Sequence, residues 1–387
     1  MGEEVGEQVA GKGHAPRTNE HDPRWHRSLL VASTSRWTSG HPYVMIAGGV
    51  ANDEPMPRHS EGRQPMPFPL GRLRGLATCT SSRGVFGVLA IDHRQNLRRD
   101  LATHPSATIA HEDLVDFKRA VVRALARLST GVLLDPEAGA AQCIADGSLP
   151  GSTGLIVALE ATGYSGPPTM RASELLAGWS VAKAKRMGAS AVKLLVYYHP
   201  EAANAAAQER LVAQVAESCQ EHDIPLMLEP LSFSLDAAAP LTGPERRRVV
   251  IATAERLTKI GGDVLKAEFP YDAQVRDERL WEAACEELTA ASRAPWVLLS
   301  AGIGQSLFET QLEIACRAGA SGVVVGRAVW GDATKLVGEA RAAFLADTAA
   351  QRMTRLVNIV ERFGRPWRLV PTAVASPVPG EGWYLDY

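Results

Sequence analysis

The chain has 387 residues, of which 45% are hydrophobic and 22% charged, and its formal net charge is -2. This balance is typical of a soluble globular protein with a sizeable core, and it excludes the strongly basic surface that binds nucleic acid or anionic membranes. The five cysteines are widely spaced and form no C-x-x-C pair, and no apolar run is long enough to span a membrane. We therefore expect a cytoplasmic protein with reduced thiols.

Residues 1–75 differ in composition from the rest of the chain. They are rich in Gly, Pro, His, Arg and Ser and show no sustained hydrophobic period. A segment of this kind buries too little apolar surface to offset the entropy lost on ordering. We expect it to form a poorly structured N-terminal extension, disordered or loosely docked.

From residue 86 onward, short apolar runs alternate with helical patterns. The runs predict eight strands, at 86–91, 131–134, 154–160, 191–197, 224–229, 263–268, 296–301 and 322–326. Near-continuous apolar strands with crossover helices are typical of a parallel sheet covered on both faces. Eight such units predict an α/β fold, a single (β/α)8 TIM barrel over residues 76–348. A doubly wound open sheet is the alternative, but the turn after the first strand reads DHRQN instead of a Gly-rich nucleotide turn.

Residues 349–387 follow the predicted barrel. They contain one more helix and then a Pro-rich tail that ends in aromatic residues. Three positions are compatible with this composition: the tail caps the barrel, joins an oligomer interface or remains free.

Lys266, in the run DVLKAEFP, is the first candidate for chemistry. Lysine is among the residues least often buried, yet this one follows an apolar strand. In a water-poor pocket near a second cation, a lysine amine can remain neutral and attack a carbonyl to form a Schiff base. The alternative is a lysine at a strand end whose ammonium group reaches solvent.

Strand parity adds two partners to this lysine. Lys193, Glu229 and Lys266 lie on the neighbouring predicted strands 4, 5 and 6, and each shares a strand face with the apolar residue two positions away. If those faces point inward, the three side chains meet in one cavity. A carboxylate between two lysines can stabilise one as the ammonium ion while the other amine is neutral. The alternative is a buried charge network that only stabilises the barrel.

Glycine-rich segments follow strands 7 and 8, where they read SAGIGQS and VVVGRAVWG. In (β/α)8 barrels these loops often bind a substrate phosphate, because glycines let backbone N–H groups approach an anion. Ser300, Gly302, Gly326 and Arg327 are the candidates, with Arg327 offering a bidentate contact. Ordinary tight turns are the alternative.

The histidines do not predict a metal site. Only His93 and His199 fall near strand ends, and the chain contains no H-x-H or H-E-x-x-H spacing. A metal-dependent (class II) aldolase or a metallohydrolase is therefore disfavoured, and we expect neither metal nor cofactor.

Several runs resemble the class I, Schiff-base aldolase family that includes tagatose 1,6-bisphosphate aldolase and sulfofructose-phosphate aldolase. They include LAIDHRQNLRR, LEATGY, AVKLLVYYHPE, IPLMLEPLSF, DVLKAEFP, LLSAGIGQSLFE and GVVVGRAVWGDA, and the similarity extends over roughly residues 85–345. The resemblance implies that Lys266 forms the Schiff base, with Glu229 and Lys193 as catalytic partners. It also implies that Asp92 contacts substrate hydroxyls and that the segments after strands 7 and 8 hold a terminal phosphate. His93 is the remaining candidate for contact with the substrate, and it stands where the tagatose enzymes have a glutamine, so the identity of the sugar stays open.

The predicted function is the reversible cleavage of a ketose (bis)phosphate, such as tagatose 1,6-bisphosphate, to dihydroxyacetone phosphate and a three-carbon aldehyde. The partner is a small sugar phosphate, with no nucleic acid and no membrane, and we expect a homo-oligomer. A sulfofructose-phosphate aldolase is the alternative within the family. An isomerase or epimerase with Glu229 as base and a non-catalytic sugar-phosphate-binding regulator are the alternatives outside it.

Overall fold

The computed structural model describes residues 69–102, 108–300, 302–370, 378–385 and 387. Most of the predicted N-terminal extension, residues 1–68, therefore lies outside the described residues. Within the described residues, no helix is both long and apolar enough to cross a membrane.

The core of the fold is a closed barrel of eight parallel strands. Strand order follows chain order, and the first strand pairs with the eighth. The strands are β1 (Phe86–Ala90), β2 (Gly131–Leu134), β3 (Gly154–Ala158), β4 (Ala191–Tyr197), β5 (Leu226–Leu231), β6 (Val264–Ala267), β7 (Trp296–Leu299) and β8 (Gly322–Val325). The predicted (β/α)8 barrel and its eight strands are confirmed.

Helices surround the barrel. They are α1 (Leu70–Thr78), α2 (Gln95–Leu101), α3 (His111–Leu125), α4 (Ala140–Ala145), α5 (Val181–Arg186), α6 (Ala205–Glu221), α7 (Gly243–Ile260), α8 (Glu278–Ala291), α9 (Gln305–Arg317), α10 (Arg327–Trp330), α11 (Gly338–Phe344) and α12 (Ala350–Phe363). A π-helical turn, Leu345–Ala349, joins α11 to α12. One apolar core lies between the strands and these helices, and a second fills the barrel itself.

The inner core shows which strand residues point into the barrel. Its strand members are Phe86, Val88, Ala90, Leu133, Ile156, Ala191, Met227, Val264, Val297 and Val324. Side chains two positions apart on a strand point the same way. Lys193, Glu229 and Lys266 each follow an inner-core residue by two positions, so they point into the barrel above the apolar layer. The register pairs Met227 with Val264, which sets Glu229 beside Lys266.

Helix α1 closes the opposite end of the barrel. Leu76 is part of the inner core. A side-chain carbon at Gly75 would collide with the carbonyl of Ser190 and would lie 2.7 Å from Pro225, just before β4 and β5. Helix α1 therefore runs across the boundary predicted at residue 75 for the N-terminal extension. That boundary rests on local composition, which does not show the packing of α1 against the starts of β4 and β5.

The chain after the barrel also packs against it. Helix α12 lies so close to β1 that a side-chain carbon at Gly87 would be 2.9 Å from Val357. Trp367 is fully buried in the inner core. Of the three positions considered for residues 349–387, the described part around Trp367 therefore caps the barrel.

Candidate active site

A cavity of about 340 Å³ opens at the C-terminal ends of the strands, which is where (β/α)8 enzymes carry their active sites. All nine predicted site residues line it: Asp92, His93, Lys193, Glu229, Lys266, Ser300, Gly302, Gly326 and Arg327. The structure thus brings together side chains and loops from β1, β4, β5, β6, β7 and β8. Their individual roles remain predictions.

Lys193 is held by three carboxylates at the centre of the site. Its Nζ atom lies 2.7 Å from Asp92 Oδ2, 2.5 Å from Glu160 Oε1 and 3.2 Å from Glu229 Oε2. Burial alone would lower the pKa of Lys193, but the three negative charges outweigh it and raise that pKa well above its usual value. Lys193 is therefore a fixed ammonium ion and is unsuited to act as a nucleophile.

Lys266 is the second buried amine, only 5% exposed. Its Nζ atom lies 2.6 Å from Glu229 Oε1. Glu229 is the one carboxylate within 4.0 Å of this amine among the residues that the structure describes. Since Lys193 is permanently charged, Lys266 is the amine in the cavity that the arrangement leaves for attack on a carbonyl.

Glu229 bridges the two lysines, as strand parity predicts. Its Oε1 atom pairs with Lys266. Its Oε2 atom lies 3.2 Å from Lys193 Nζ but is not aligned for a hydrogen bond with any donor in the described part of the chain. This oxygen has a lone pair available for a substrate proton.

Asp92 carries a negative charge beside both amines. Burial on its own would raise the pKa of Asp92, but the ammonium of Lys193, and after it Lys266, lower that pKa well below its usual range. Asp92 is therefore ionised at neutral pH and can accept hydrogen bonds from substrate hydroxyls.

His93 is uncharged at neutral pH. Burial is the largest cause that lowers its pKa to about 4, and the cations of Arg327 and Lys266 add to it. The imidazole packs edge-on against Trp330, with ring centroids 5.3 Å apart. Its Nδ1 atom is buried, is 3.9 Å from Asp92 Oδ1, and has no hydrogen-bond partner among the described residues. The neutral ring can therefore form a hydrogen bond with a substrate without a change in its own charge.

Two residues of the charge network are absent from the prediction. Glu160 pairs with Lys193, and its Oε2 atom accepts a hydrogen bond of 3.0 Å from the backbone N–H of Leu195. Arg94 donates to the Glu160 carbonyl and to Glu137 Oε2, at 2.7 Å each. Glu160 is the last residue of the predicted third strand, and Arg94 belongs to the DHRQN turn that follows the first strand. Their position at the ends of strands is the sequence signal that could have identified them.

The loops after β7 and β8 form the other side of the cavity. Ser300 Oγ lies 3.5 Å from the backbone nitrogen of Gly326. Gly302 has φ +72°, a backbone conformation that favours glycine, and a side-chain carbon there would lie 3.7 Å from Arg327 Nη2. The Arg327 side chain is 41% exposed, and its Nη1 atom is 3.9 Å from Asp100 Oδ2. On this side of the cavity the Arg327 cation lies beside glycine backbone that a ligand can approach closely. Both features favour the binding of an anion.

No group of three or more His, Cys, Asp or Glu side chains is placed to hold a metal ion in the described ranges. The position between Asp92, Glu160 and Glu229 is filled by the Lys193 ammonium group.

Such a site defines a class of protein. A buried lysine touches a carboxylate, that carboxylate reaches a permanently charged second lysine, and both lie at the C-terminal mouth of a (β/α)8 barrel. This is the arrangement of a class I, lysine-dependent aldolase, a carbon–carbon lyase.

Comparison with known proteins gives the family. A model of the DeoC/LacD family aldolases matches residues 86–332. Tagatose 1,6-diphosphate aldolase 1 of Streptococcus pyogenes serotype M1 is 31% identical over 312 residues, which cover 74% of this chain and 94% of that enzyme. Tagatose 1,6-diphosphate aldolase 2 of Streptococcus agalactiae serotype III is 30% identical, with 75% and 95% covered. The chain belongs to the DeoC/LacD family of aldolases, and the resemblance found in its sequence is confirmed.

A solved structure gives the same fold. The crystal structure of an archaeal fructose 1,6-bisphosphate aldolase matches with a TM-score of 0.51 and 22% identity, covering 74% of this chain and 97% of the archaeal one. At this identity the match supports the barrel fold alone.

Proposed function

We propose that this aldolase cleaves a ketose 1,6-bisphosphate, such as tagatose 1,6-bisphosphate, to dihydroxyacetone phosphate and a three-carbon aldehyde phosphate. The observation that carries the proposal is the contact of the Lys266 amine with Glu229, beside the fixed ammonium of Lys193. The substrate follows the names of the streptococcal relatives. No observation favours the sulfosugar or regulator alternatives over it.

The reaction begins at Lys266. Lys266 passes a proton to Glu229 and its amine attacks the C2 ketone. Glu229 returns that proton to the departing oxygen, and loss of water gives a protonated imine. The imine accepts the electron pair of the C3–C4 bond as that bond breaks, which leaves an enamine on Lys266. The C4 hydroxyl loses its proton at the same time, and the aldehyde departs. Protonation of the enamine at C3 and hydrolysis of the imine then release dihydroxyacetone phosphate and restore the amine.

Glu229 is the proposed proton carrier. It contacts Lys266 through Oε1, and its Oε2 atom is available to accept the C4 hydroxyl proton and return it to C3. Lys193 stays charged throughout, holds the carboxylates in place and orients a substrate oxygen. Asp92, ionised beside Lys193, accepts hydrogen bonds from sugar hydroxyls.

The phosphate next to the ketone is assigned to the loops after β7 and β8. Ser300, Gly302, Gly326 and Arg327 line that side of the cavity. Arg327 supplies the positive charge, and the glycines let the phosphate reach backbone N–H groups. His93 is assigned a hydrogen bond to a substrate hydroxyl as a neutral ring. A cytoplasmic location and a homo-oligomeric state remain predictions, the second of which light scattering tests directly.

Sodium borohydride reduction in the presence of dihydroxyacetone phosphate tests the proposal. Borohydride reduces an imine to a stable amine, and peptide mass spectrometry then locates it. We expect the adduct on the peptide that contains Lys266, loss of the adduct in Lys266→Met, and retention in Lys259→Met, which changes an exposed lysine of α7. No adduct on the folded wild-type enzyme, or an adduct on another lysine, contradicts the proposal.

A further inference from the structure

The loop between β3 and α5 forms one wall of the cavity. Thr162 and Gly163 of this loop line the cavity directly. The loop is folded back on itself, since Ser165 and Ala172 exchange two backbone hydrogen bonds of 2.9 Å. Ser173 Oγ accepts a third bond of 2.9 Å from the backbone N–H of a β4 residue. The wall is therefore fixed to the barrel.

Arg171 lies in this wall among aromatic rings. Its guanidinium carbon is 4.8 Å from the ring centre of Tyr164, 5.7 Å from that of Phe233 and 5.9 Å from that of Tyr197. Arg171 Nε donates to a backbone carbonyl at 3.1 Å, and the Arg171 carbonyl accepts from Asn204 Nδ2 at 2.9 Å. Both the side chain and the backbone are held before any ligand binds.

The charge of Arg171 is not neutralised. No carboxylate among the residues that the structure describes forms an ion pair with it within 4.0 Å, whereas many other arginines of the barrel have one. Aromatic faces hold a cation without cancelling its charge. Tyr197, one of these rings, also lines the catalytic cavity. A positive charge is thus available beside the cavity for an anion.

The position of Arg171 in the barrel is opposite to that of Arg327. Tyr197 ends β4 and Phe233 follows β5, while Arg327 follows β8, and in a closed barrel of eight strands these lie on opposite sides of the mouth. The Lys193–Glu229–Lys266 cluster comes from β4, β5 and β6 and lines the same cavity as Arg327. A substrate joined to Lys266 with one anion at Arg327 extends its other end toward the wall that carries Arg171.

We propose that Arg171, with Tyr164 and Tyr197, binds the oxyanion at the far end of the substrate, on the half that leaves as the aldehyde. This inference rests on the proposed function, because it assumes a ketose with anions at both ends. Guanidinium groups bind tetrahedral oxyanions in a bidentate way, and tyrosine hydroxyls can donate to them. The group is a phosphate or a sulfonate, which share this chemistry.

A comparison of two substrates tests the assignment. The ratio of kcat/KM for a ketose 1,6-bisphosphate to that for the matching ketose 1-phosphate measures what the far anion contributes. We expect Arg171→Met to lower this ratio by about 10- to 100-fold, the value of a charge-assisted hydrogen bond. Arg171→Lys should recover part of it, because an ammonium group keeps the charge but not the fork. Arg210→Met, at an exposed arginine of α6, should keep the wild-type ratio.

Two outcomes overturn the proposal. An unchanged ratio in Arg171→Met shows that the far anion binds elsewhere, and an equal loss with both substrates shows that Arg171 only supports the wall. Borohydride trapping with dihydroxyacetone phosphate, which lacks the far anion, separates this result from the proposed function. A trapped Lys266 in Arg171→Met with an unchanged ratio rejects the subsite alone, whereas an untrapped wild-type enzyme rejects the aldolase mechanism.

The same variants identify the anion. A ketose 1-phosphate with a sulfonate at carbon 6 replaces the bisphosphate in the second arm. If the Arg171→Met loss is larger for the phosphate, the subsite belongs to a bisphosphate aldolase. If it is larger for the sulfonate, the subsite belongs to a sulfosugar aldolase.

Discussion

Lys193 and Lys266 are the same residue type on strands two apart, yet they differ in the number of carboxylates that contact them. Three carboxylates contact Lys193, whereas one contacts Lys266. Each added carboxylate stabilises the ammonium form. The difference fixes the charge of Lys193 and supports the proposed assignment of the chemistry to Lys266.

The first prediction concerns Lys193→Met. The change leaves Asp92, Glu160 and Glu229 buried together without their shared cation. Removal of one partner of a buried charge network costs about 3 to 5 kcal/mol. We expect the free energy of unfolding at pH 7, measured in urea, to fall by this amount. The deficit should shrink as the pH falls to 5, because protonation removes the unpaired charge.

Lys259→Met is the control for this experiment. Lys259 forms an exposed pair with Glu255 on α7, and such pairs contribute about 0.5 kcal/mol or less. A similar loss in the two variants, or a Lys193→Met deficit that does not depend on pH, contradicts the three-carboxylate account.

The second prediction concerns His93→Gln. The folded protein keeps His93 neutral down to about pH 4, whereas the unfolded chain protonates it near the ordinary pKa of 6.5. Below pH 6.5 the unfolded state thus binds the extra proton, so wild-type stability falls as the pH falls from 6.5 to 4. Glutamine does not titrate. We expect the variant to gain on the wild type by an amount on the order of 2 kcal/mol between pH 7 and pH 4.5.

Urea denaturation at several pH values measures this gain. His111→Gln, an exposed histidine of α3, is the matched control. A stability difference between wild type and His93→Gln that is constant over the pH range shows that His93 is not held neutral by the fold.

Sequence patterns reached most residues of the candidate site but not all of them. Lys193, Glu229 and Lys266 were accessible because side-chain alternation within a strand is local information. Glu160 is the last residue of the predicted third strand, but its place in the charge network depends on a 2.5 Å contact with Lys193, 33 residues away. Arg171 lies in a loop without periodicity, and its aromatic partners come from three separate segments. Long-range contacts of this kind leave no trace in a single sequence.

At the scale of elements, α1 depends on a residue from another part of the chain. The helix follows Pro69 and has no side-chain cap of its own. Asp223, between α6 and β5, accepts hydrogen bonds from the backbone N–H groups of Gly71 and Arg72, the latter at 3.1 Å. It also accepts a bond of 2.6 Å from the Tyr387 hydroxyl. A carboxylate at a helix start satisfies N–H groups that have no partner within the helix.

The third prediction concerns Asp223. Its φ is +44°, a conformation that asparagine tolerates better than alanine. We expect Asp223→Ala to lower the free energy of unfolding by about 1 to 2 kcal/mol, and Asp223→Asn to lower it less, because the amide keeps one acceptor oxygen. Hydrogen exchange in residues 70–78 should increase in both variants.

Asp236→Ala is the control, since Asp236 is an exposed loop residue whose side chain accepts a hydrogen bond from the nearby backbone N–H of Ala238. If α1 exchanges at the wild-type rate in Asp223→Ala, the cap does not hold the helix. The strands of the barrel were predictable from their periodicity, but the attachment of α1 was not, because its cap lies about 150 residues away.

At the scale of the whole molecule, the two ends of the barrel have separate tasks. The C-terminal ends of the strands carry the charged cavity, while α1 and Trp367 close the other end with apolar packing. Between them lies the inner apolar layer, which shares no residue with the charge network. Changes at the base should therefore alter stability more than chemistry, as is general for this fold.

The last prediction uses the cysteines as reporters of how the barrel opens. All five are buried and unpaired, and they lie beside α1, in α4, in α6, in α8 and in α9. Burial raises the pKa of every one of these thiols, to about 12 for Cys79, Cys143 and Cys316. Because the thiolate is the reactive form, we expect no reaction with a thiol-specific disulfide reagent at pH 8 until the protein unfolds.

The relative labelling rates then distinguish global from local opening. If the barrel opens as one unit, mass spectrometry should show all five cysteines labelled with the same dependence on urea. Asp223→Ala should uncouple one of them, because Cys79 directly follows the helix that Asp223 caps. We expect Cys79 in that variant to react at lower urea than Cys285, which lies in the outer layer and is far from the change. Equal labelling of the two in Asp223→Ala would show that α1 does not detach before the barrel unfolds.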